Sequence, residues 1–311
     1  MKKSLFMLGA AIVALSSCTQ DEVLNVNENR VISFESHVNK STRAVTNTTT
    51  GDLTKFYVFG NHGTTNVFNN VAVTKNGSVW EYTNPVAWTA NNYKFAAYAT
   101  TNTSDQLTTG VAYNDGVLTF SDYVPNDASD LVAAVTTVDN TSLANDPVNF
   151  TFQHLLSKVQ FVLTNNSTEN YTMKVGDITF SILKQGDCVY NNGTATWTPE
   201  GSATTLTVAG TTTNIAKGAS FTSEDYIVIP NQALAGVKAS FKVEFYDASD
   251  NKVYEKQYTD VALKLIADDS QKWAPGYLYQ YTGSIAPTTS YITFNVTQVD
   301  GWTSATPGVG L

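Results

Sequence analysis

Two cysteines, three histidines and a charged content of 14% leave this 311-residue chain with few of the groups that enzymes use. With cysteines only at positions 18 and 188, no framework of disulfides can be built. Cys188, in the run Gly186-Asp187-Cys188-Val189-Tyr190, reads as a small hydrophobe between a turn and a strand. His37, His62 and His154 have no second histidine or cysteine at metal-ligand spacing, so no metal site is expected. His154 is expected to hydrogen-bond at a sheet margin. There is no G-x-S-x-G elbow, P-loop or H-E-x-x-H motif, and Asp268-Asp269 reads as a solvated pair in a loop. The expectation is a protein without catalysis or cofactor. Cations are scarce too. Eighteen Lys and Arg against 27 Asp and Glu give a net charge of −9, with no basic patch. That excludes nucleic acid and anionic membrane surfaces as electrostatic partners.

Long apolar runs are also missing, apart from Leu5 to Leu15 behind Lys2 and Lys3. This run is shorter than the roughly 20 residues a membrane-spanning helix needs. It fits a cleaved signal peptide over residues 1–18. Leu15-Ser16-Ser17-Cys18 closes it as a lipobox, in which the Cys18 thiol takes a diacylglycerol and the freed amine a further palmitate-type chain. Each buried acyl CH₂ contributes about 0.8 kcal/mol, so two or three chains anchor a protein firmly to a membrane.

What the chain does contain is Thr, Asn, Val, Tyr and Phe, the residues of pleated sheets and their turns. Residues 19–50 form a polar tether with one strand-like island, Val31 to Val38. Ile32, Phe34 and Val38 share a face of this island at period two, and Ser36 interrupts it. The Thr-rich link that follows, with Arg43 and Ala44 at its start, buries too little to order itself and is expected to be open to proteases. Short alternating segments then recur every 8–12 residues or so, the mark of a sandwich or barrel. Asn76-Gly77 is a hairpin signal. Ile178 to Leu183, Cys188 to Tyr190, Ala195 to Trp197 and Thr205 to Val208 read as separate strands, and Leu263 to Ala267 as a brief helical turn. Asn165-Asn166-Ser167 divides the remainder into 51–165 and 166–311.

The last segment, Tyr291 to Val299, alternates at Ile292, Phe294 and Val296. Two readings stay open: the closing strand of its own sandwich, or a donor strand offered to a neighbour. The aromatics allow a different function. Trp80, Trp88, Trp197, Trp273 and Trp302 could stack sugars on an anchored surface protein that binds glycans or host ligands without polymerising. Such large rings are also ordinary sandwich core.

Several phrases, in order, resemble the fimbrillin family of Bacteroidetes, whose members build type V pili. Phe150-Thr151-Phe152-Gln153-His154-Leu155-Leu156-Ser157-Lys158-Val159-Gln160-Phe161 is similar to that family's F-x-H-x-L-S-K-V-x-F signature. Trp88 with Tyr93-Lys94-Phe95-Ala96-Ala97-Tyr98 resembles its tryptophan and Y-x-F-x-A-Y segment. Ile229-Pro230-Asn231-Gln232 resembles its I-P-x-Q turn, and Trp273-Ala274-Pro275-Gly276-Tyr277-Leu278-Tyr279-Gln280-Tyr281 its W-x-P-G-x-x-Y-x-Y element. Thr42-Arg43-Ala44 is similar to the T-R-A behind the family's first strand. Asp21-Glu22, just after Cys18, resembles the surface-export signal of Bacteroidetes lipoproteins.

The resemblance implies an all-β fold of two tandem transthyretin-like β-sandwich domains. It also implies a structural role in adhesion, at the outer face of the outer membrane and in the fimbrium. An arginine-specific protease would cut between Arg43 and Ala44 and release the strand carrying Ile32, Phe34 and Val38. Other pilus subunits would then supply a strand to the vacated groove. Loss of residues 1–43 removes five cationic and four anionic side chains and leaves the subunit at −10.

Overall fold

The computed structural model describes residues 31–38, 53–100, 106–126, 129–264 and 272–300. Cys18, Arg43, Ala44, Asp268-Asp269, Trp302 and most of the expected turn at 263–267 lie outside them. Among the described residues the chain is all-β, with nineteen strands and one 3-10 turn at Leu234–Gly236 that no sequence signal announced. No helix is long and apolar enough to cross a membrane among these residues.

Three sheets organise the strands. The first runs in the order Phe34–Val38 (β1), Val148–His154 (β9), Leu131–Asp139 (β8), Asn92–Thr100 (β5), Lys55–His62 (β2), Thr65–Asn76 (β3) and Val79–Glu81 (β4). β1 sits at its edge, parallel to β9, with Phe34 opposite Val148 and Val38 opposite Phe152. The second contains Ser220–Thr222 (β14), Ser157–Asn165 (β10), Tyr277–Ile285 (β18) and Asn295–Asp300 (β19), with Tyr226–Val228 (β15) also on β10. The third runs Thr172–Val175 (β11), Lys238–Tyr246 (β16), Ile178–Asn191 (β12), Val117–Tyr123 (β7) and Val111–Asn114 (β6). Thr194–Val208 (β13) flanks β12 there, and Lys252–Ala262 (β17) flanks β16.

Period-two alternation fills three cores from these sheets. One face of the first sheet buries Phe56, Val58, Phe95 and Phe150 together with Ile32 and Phe34. Its other face sends Tyr57, Phe59 and Tyr98 against Phe120, Cys188, Tyr190 and Trp197 of the third sheet. The third core lies between the second sheet and the rest of the third, around Phe161, Phe180, Phe241, Tyr281 and Trp273. Being covered on both sides, β5 and β8 read as nearly unbroken apolar runs instead of alternating ones.

The cores do not follow the division at residue 165. β10 pairs only with strands of the second half among the described residues, and Val159, Phe161 and Leu163 enter the third core. In the opposite direction, Cys188, Tyr190 and Trp197 fill the middle core of the first half. This crossing corrects one expectation. Ile178–Leu183 and Cys188–Tyr190 form one continuous strand, β12, and Ala195–Trp197 and Thr205–Val208 form β13. Both strands run from one core to the other, and at a register shift opposite Leu183 and Gln185 β13 carries an extra residue that re-aims its side chains. Gly186 sits at the crossing because a Cβ there would lie 2.8 Å from the Thr198 carbonyl oxygen.

Two further differences are local. The β3–β4 hairpin turns on Gly77-Ser78, not on Asn76-Gly77. Asn76 pairs with Val79, and Gly77 alone takes a positive φ of 62°, as a first turn position of the II′ kind requires. The last strand starts at Asn295 instead of Tyr291. Phe294 is still buried against its own core and Ile292 packs on it.

Candidate functional site

The N-terminal island fills a groove in the first core. Ile32 is fully buried and Phe34 nearly so. Phe34 is surrounded by rings: Phe68 at 5.4 Å and Tyr82 at 5.5 Å edge-on, and Phe150 stacked at 5.9 Å. Aromatic pairs of this kind are each worth about 0.5–1.5 kcal/mol beyond area burial. The backbone changes partner along the segment. Val31 bridges antiparallel to Ala87. The Ile32 N–H donates to the Val86 carbonyl at 2.8 Å and the Val148 N–H to the Ser33 carbonyl at 2.8 Å. From Phe34 onward the ladder to β9 takes over. This switch is why β1 starts later than the apolar pattern does. Ile32 and Phe34 therefore occupy the face that the sequence assigned to them, and Val38 stands opposite Phe152 in the ladder.

The other candidate strand lies in a different core. β19 pairs antiparallel with β18, Val296 opposite Tyr281. The Phe294 ring meets Phe161 at 5.7 Å and Tyr281 at 5.8 Å. Like β1, β19 is the outermost strand of its sheet. The structure does not bring the two sets of residues together within one chain.

The signature phrases meet where the two halves join. Trp197 Nε1 donates to the Leu155 carbonyl at 2.6 Å, and Gly276 N–H to the Leu156 carbonyl at 2.7 Å. Ser157 Oγ donates to the Ala274 carbonyl at 2.7 Å. Asn231 ties Trp273 and Trp197 together: its N–H donates to one carbonyl and its Nδ2 to the other, at 2.8 and 2.9 Å. Gln232 bonds both backbone groups of Leu183, beside the register shift of β12. His154 ends β9 and is paired with the buried carboxylate of Asp130, a partner 24 residues away that sequence inspection missed. The work of these phrases is mutual bonding.

Chemistry is sparse elsewhere. Burial pushes the Cys188 thiol up to about 12, so it is not a nucleophile at neutral pH. Asp122, Asp187 and Glu200 were also missed. They converge from β7, β12 and β13 with one carboxylate oxygen each, all within 4.8 Å of one another. Burial and the two neighbouring aspartates raise the Glu200 carboxyl above its usual range. Three oxygens are fewer than the six to eight that calcium takes. Trp88, Trp197 and Trp273 are core residues, while Trp80 is half-buried and tilts against Phe56 at 4.7 Å. Among the described residues, no exposed pair of tryptophans offers a platform for sugars.

What this geometry defines is an all-β chain whose N-terminal edge segment completes a core. A fimbrillin-like family profile matches residues 42–302, and the chain belongs to that family. No curated protein sequence matches it significantly. Among solved structures, a fimbrial protein from Bacteroides vulgatus shares the fold at a TM-score of 0.61 and 15% identity, with 88% of this chain and 100% of that chain covered. A candidate cell adhesion protein from Bacteroides uniformis aligns over 88% of this chain and 99% of that one, at 19% identity and a TM-score of 0.49.

Proposed function

We propose that this chain is a structural, non-enzymatic subunit of a surface fimbrium that joins its neighbours by strand exchange. The observation that carries this reading is the placement of Ile32 and Phe34: core residues held on an edge strand, so that removing them opens a groove without breaking an interior sheet pairing. Such an open edge pairs readily with an added strand. Ile292-Thr293-Phe294 repeats Ile32-Ser33-Phe34 in spacing and character, and it too leads into an edge strand. In this reading the C-terminal strand closes its own sandwich in the monomer and fills the groove of the next subunit in the fibre. Refilling the groove with an Ile and a Phe restores about 1.5–3 kcal/mol each to the first core, set against the burial that Ile292 and Phe294 leave in their own.

The rest of the reading rests on the lipobox at Cys18 and on what membership of the family implies. Cys18 carries the lipid that brings the precursor to the outer membrane, and an arginine-specific protease cuts between Arg43 and Ala44 to free β1. The partners are other pilus subunits, in a homo- or hetero-polymer. In this reading the three sheets make up two tandem transthyretin-like sandwiches that share β12 and β13, and adhesion is a property of the fibre. Intact mass of surface-extracted protein tests this. A mature N-terminus at Ala44 supports a polymerising subunit, whereas an acylated Cys18 as the sole N-terminus favours an anchored protein that keeps its tether.

A further inference from the structure

The groove holds residue 32 by its backbone as well as by its side chain. Three hydrogen bonds form a closed cycle around it. The Ile32 N–H donates to the Val86 carbonyl at 2.8 Å. The Val86 N–H donates to the Tyr82 hydroxyl oxygen at 3.2 Å. The Tyr82 hydroxyl donates its proton to the Ile32 carbonyl at 2.8 Å. Both polar backbone groups of that one residue are thereby satisfied, and neither bond depends on the side chain it carries. The bend at Thr83-Asn84, with Asn84 at a φ of 58°, brings the Tyr82 hydroxyl back to the N–H of its own Val86. The ring also packs edge-on against Phe34 at 5.5 Å and Phe68 at 5.3 Å. Tyr82 thus touches both the backbone of position 32 and the side chain of position 34.

We propose that Tyr82 is the positioning residue of the groove: its hydroxyl anchors the backbone of whichever strand lies there, β1 in the precursor or the corresponding strand of a second copy. This rests on the strand-exchange reading above. A hydroxyl that reads only a carbonyl serves both occupants equally. The Phe34 pocket beside it sets which residue follows two places on, and together they fix register as well as affinity. A one-residue slip would put the residue at position 33 into the core, so a fixed point on the backbone matters here.

The test uses the full-length chain and the variant Tyr82→Phe, which keeps the ring and removes only the hydroxyl. Hydrogen exchange at the amides of residues 32–38 and Val148 reports opening of β1. The expected result is exchange about ten-fold faster in Tyr82→Phe, about the loss of one buried hydrogen bond, with β12 amides unchanged. Tyr254→Phe, at an exposed tyrosine, is expected to alter neither. Unchanged exchange at 32–38 overturns the proposal, and so does equal acceleration in β12, which would mean a general loss of stability. A second measurement uses the chain cleaved between Arg43 and Ala44 and stripped of residues 1–43, so that no β1 competes for the groove, and reads capture of a mass-tagged peptide spanning residues 290–300. Wild type capturing it, with the variant weakened by the same factor as for β1, supports a backbone anchor. Equal capture by both proteins overturns it. No capture by either, with the exchange difference intact, leaves Tyr82 as the anchor of β1 and removes strand exchange instead.

Discussion

Phe34 lies face to face with Phe150, their ring centroids 5.9 Å apart and their planes 14° from parallel. One ring comes from the N-terminal edge strand and the other from the strand it pairs with. Through this contact a segment near the start of the chain completes a core built 20 to 120 residues later. Phe34→Ala is expected to destabilise the full-length protein by about 3–5 kcal/mol, as large-to-small changes in cores do. Urea unfolding followed by tryptophan fluorescence checks this, and a loss below about 1 kcal/mol would mean that the ring is not part of the core.

The junction between the halves gives a second expectation. β12 and β13 run through two cores, and the bonds of Trp197, Asn231 and Gln232 fasten the crossing. The wild-type chain is expected to unfold in one cooperative transition. Trp197→Phe removes the bond to the Leu155 carbonyl and leaves that acceptor buried, at about 1–3 kcal/mol. Calorimetry should then show the transition broaden or split. An already split wild-type transition would show that the cores are energetically separate.

Gly186 supports the same crossing from the backbone side. A Cβ at this position would press on the Thr198 carbonyl oxygen and the Pro199 Cα, at 2.8 and 3.1 Å. Backbone atoms cannot swing aside as a flexible side chain can. Gly186→Ala is expected to lower stability by about 1–3 kcal/mol, the usual scale of overpacking, while Gly201→Ala meets no neighbouring atoms and is strained only by its φ of 82°. Thermal melts of the two variants side by side separate steric from conformational cost.

Stability should fall on the alkaline side. Burial raises Tyr98, Tyr113 and Tyr190 from 10.0 to about 12, and Cys188 from 9.0 to about 12. Below about pH 8 these groups are protonated whether folded or unfolded and contribute no pH dependence. Between about 8 and 12 the unfolded chain gives up protons, first from Cys188 and then from the tyrosines, that the folded chain retains. The unfolded state then binds fewer protons, and stability drops as pH rises. Denaturant midpoints measured from pH 7 to 11 should be flat at first and then decline. A rise above pH 9 would contradict the burial of these groups.

Local pattern carried much of this fold. Ile32 and Phe34 stand out at period two, Asn76-Gly77 announces a hairpin one residue early, and Thr-, Val- and Tyr-rich segments form strands. What the chain could not display was which distant elements meet. Tyr82 and Val86 close on Ile32 from 50 or more positions away, with no pattern to link them. His154 carries no sign of Asp130. The continuity of β12 was hidden because the half-buried Leu183-Lys184-Gln185 interrupts its apolar alternation, and that of β13 because its buried positions change from Leu206 and Val208 to Trp197, out of phase, across the register shift opposite these residues. Asp122, Asp187 and Glu200 converge only because β7, β12 and β13 are neighbours.

The central claim is that the place of β1 can be taken by a C-terminal strand from another copy. The direct measurement is native mass spectrometry of the chain after cleavage between Arg43 and Ala44, incubated with a peptide spanning residues 290–300. Strand exchange predicts loss of the N-terminal fragment and stoichiometric uptake of the peptide, with a Phe294→Ser peptide failing to bind. Retention of the N-terminal fragment at saturating peptide, with no uptake, would contradict it.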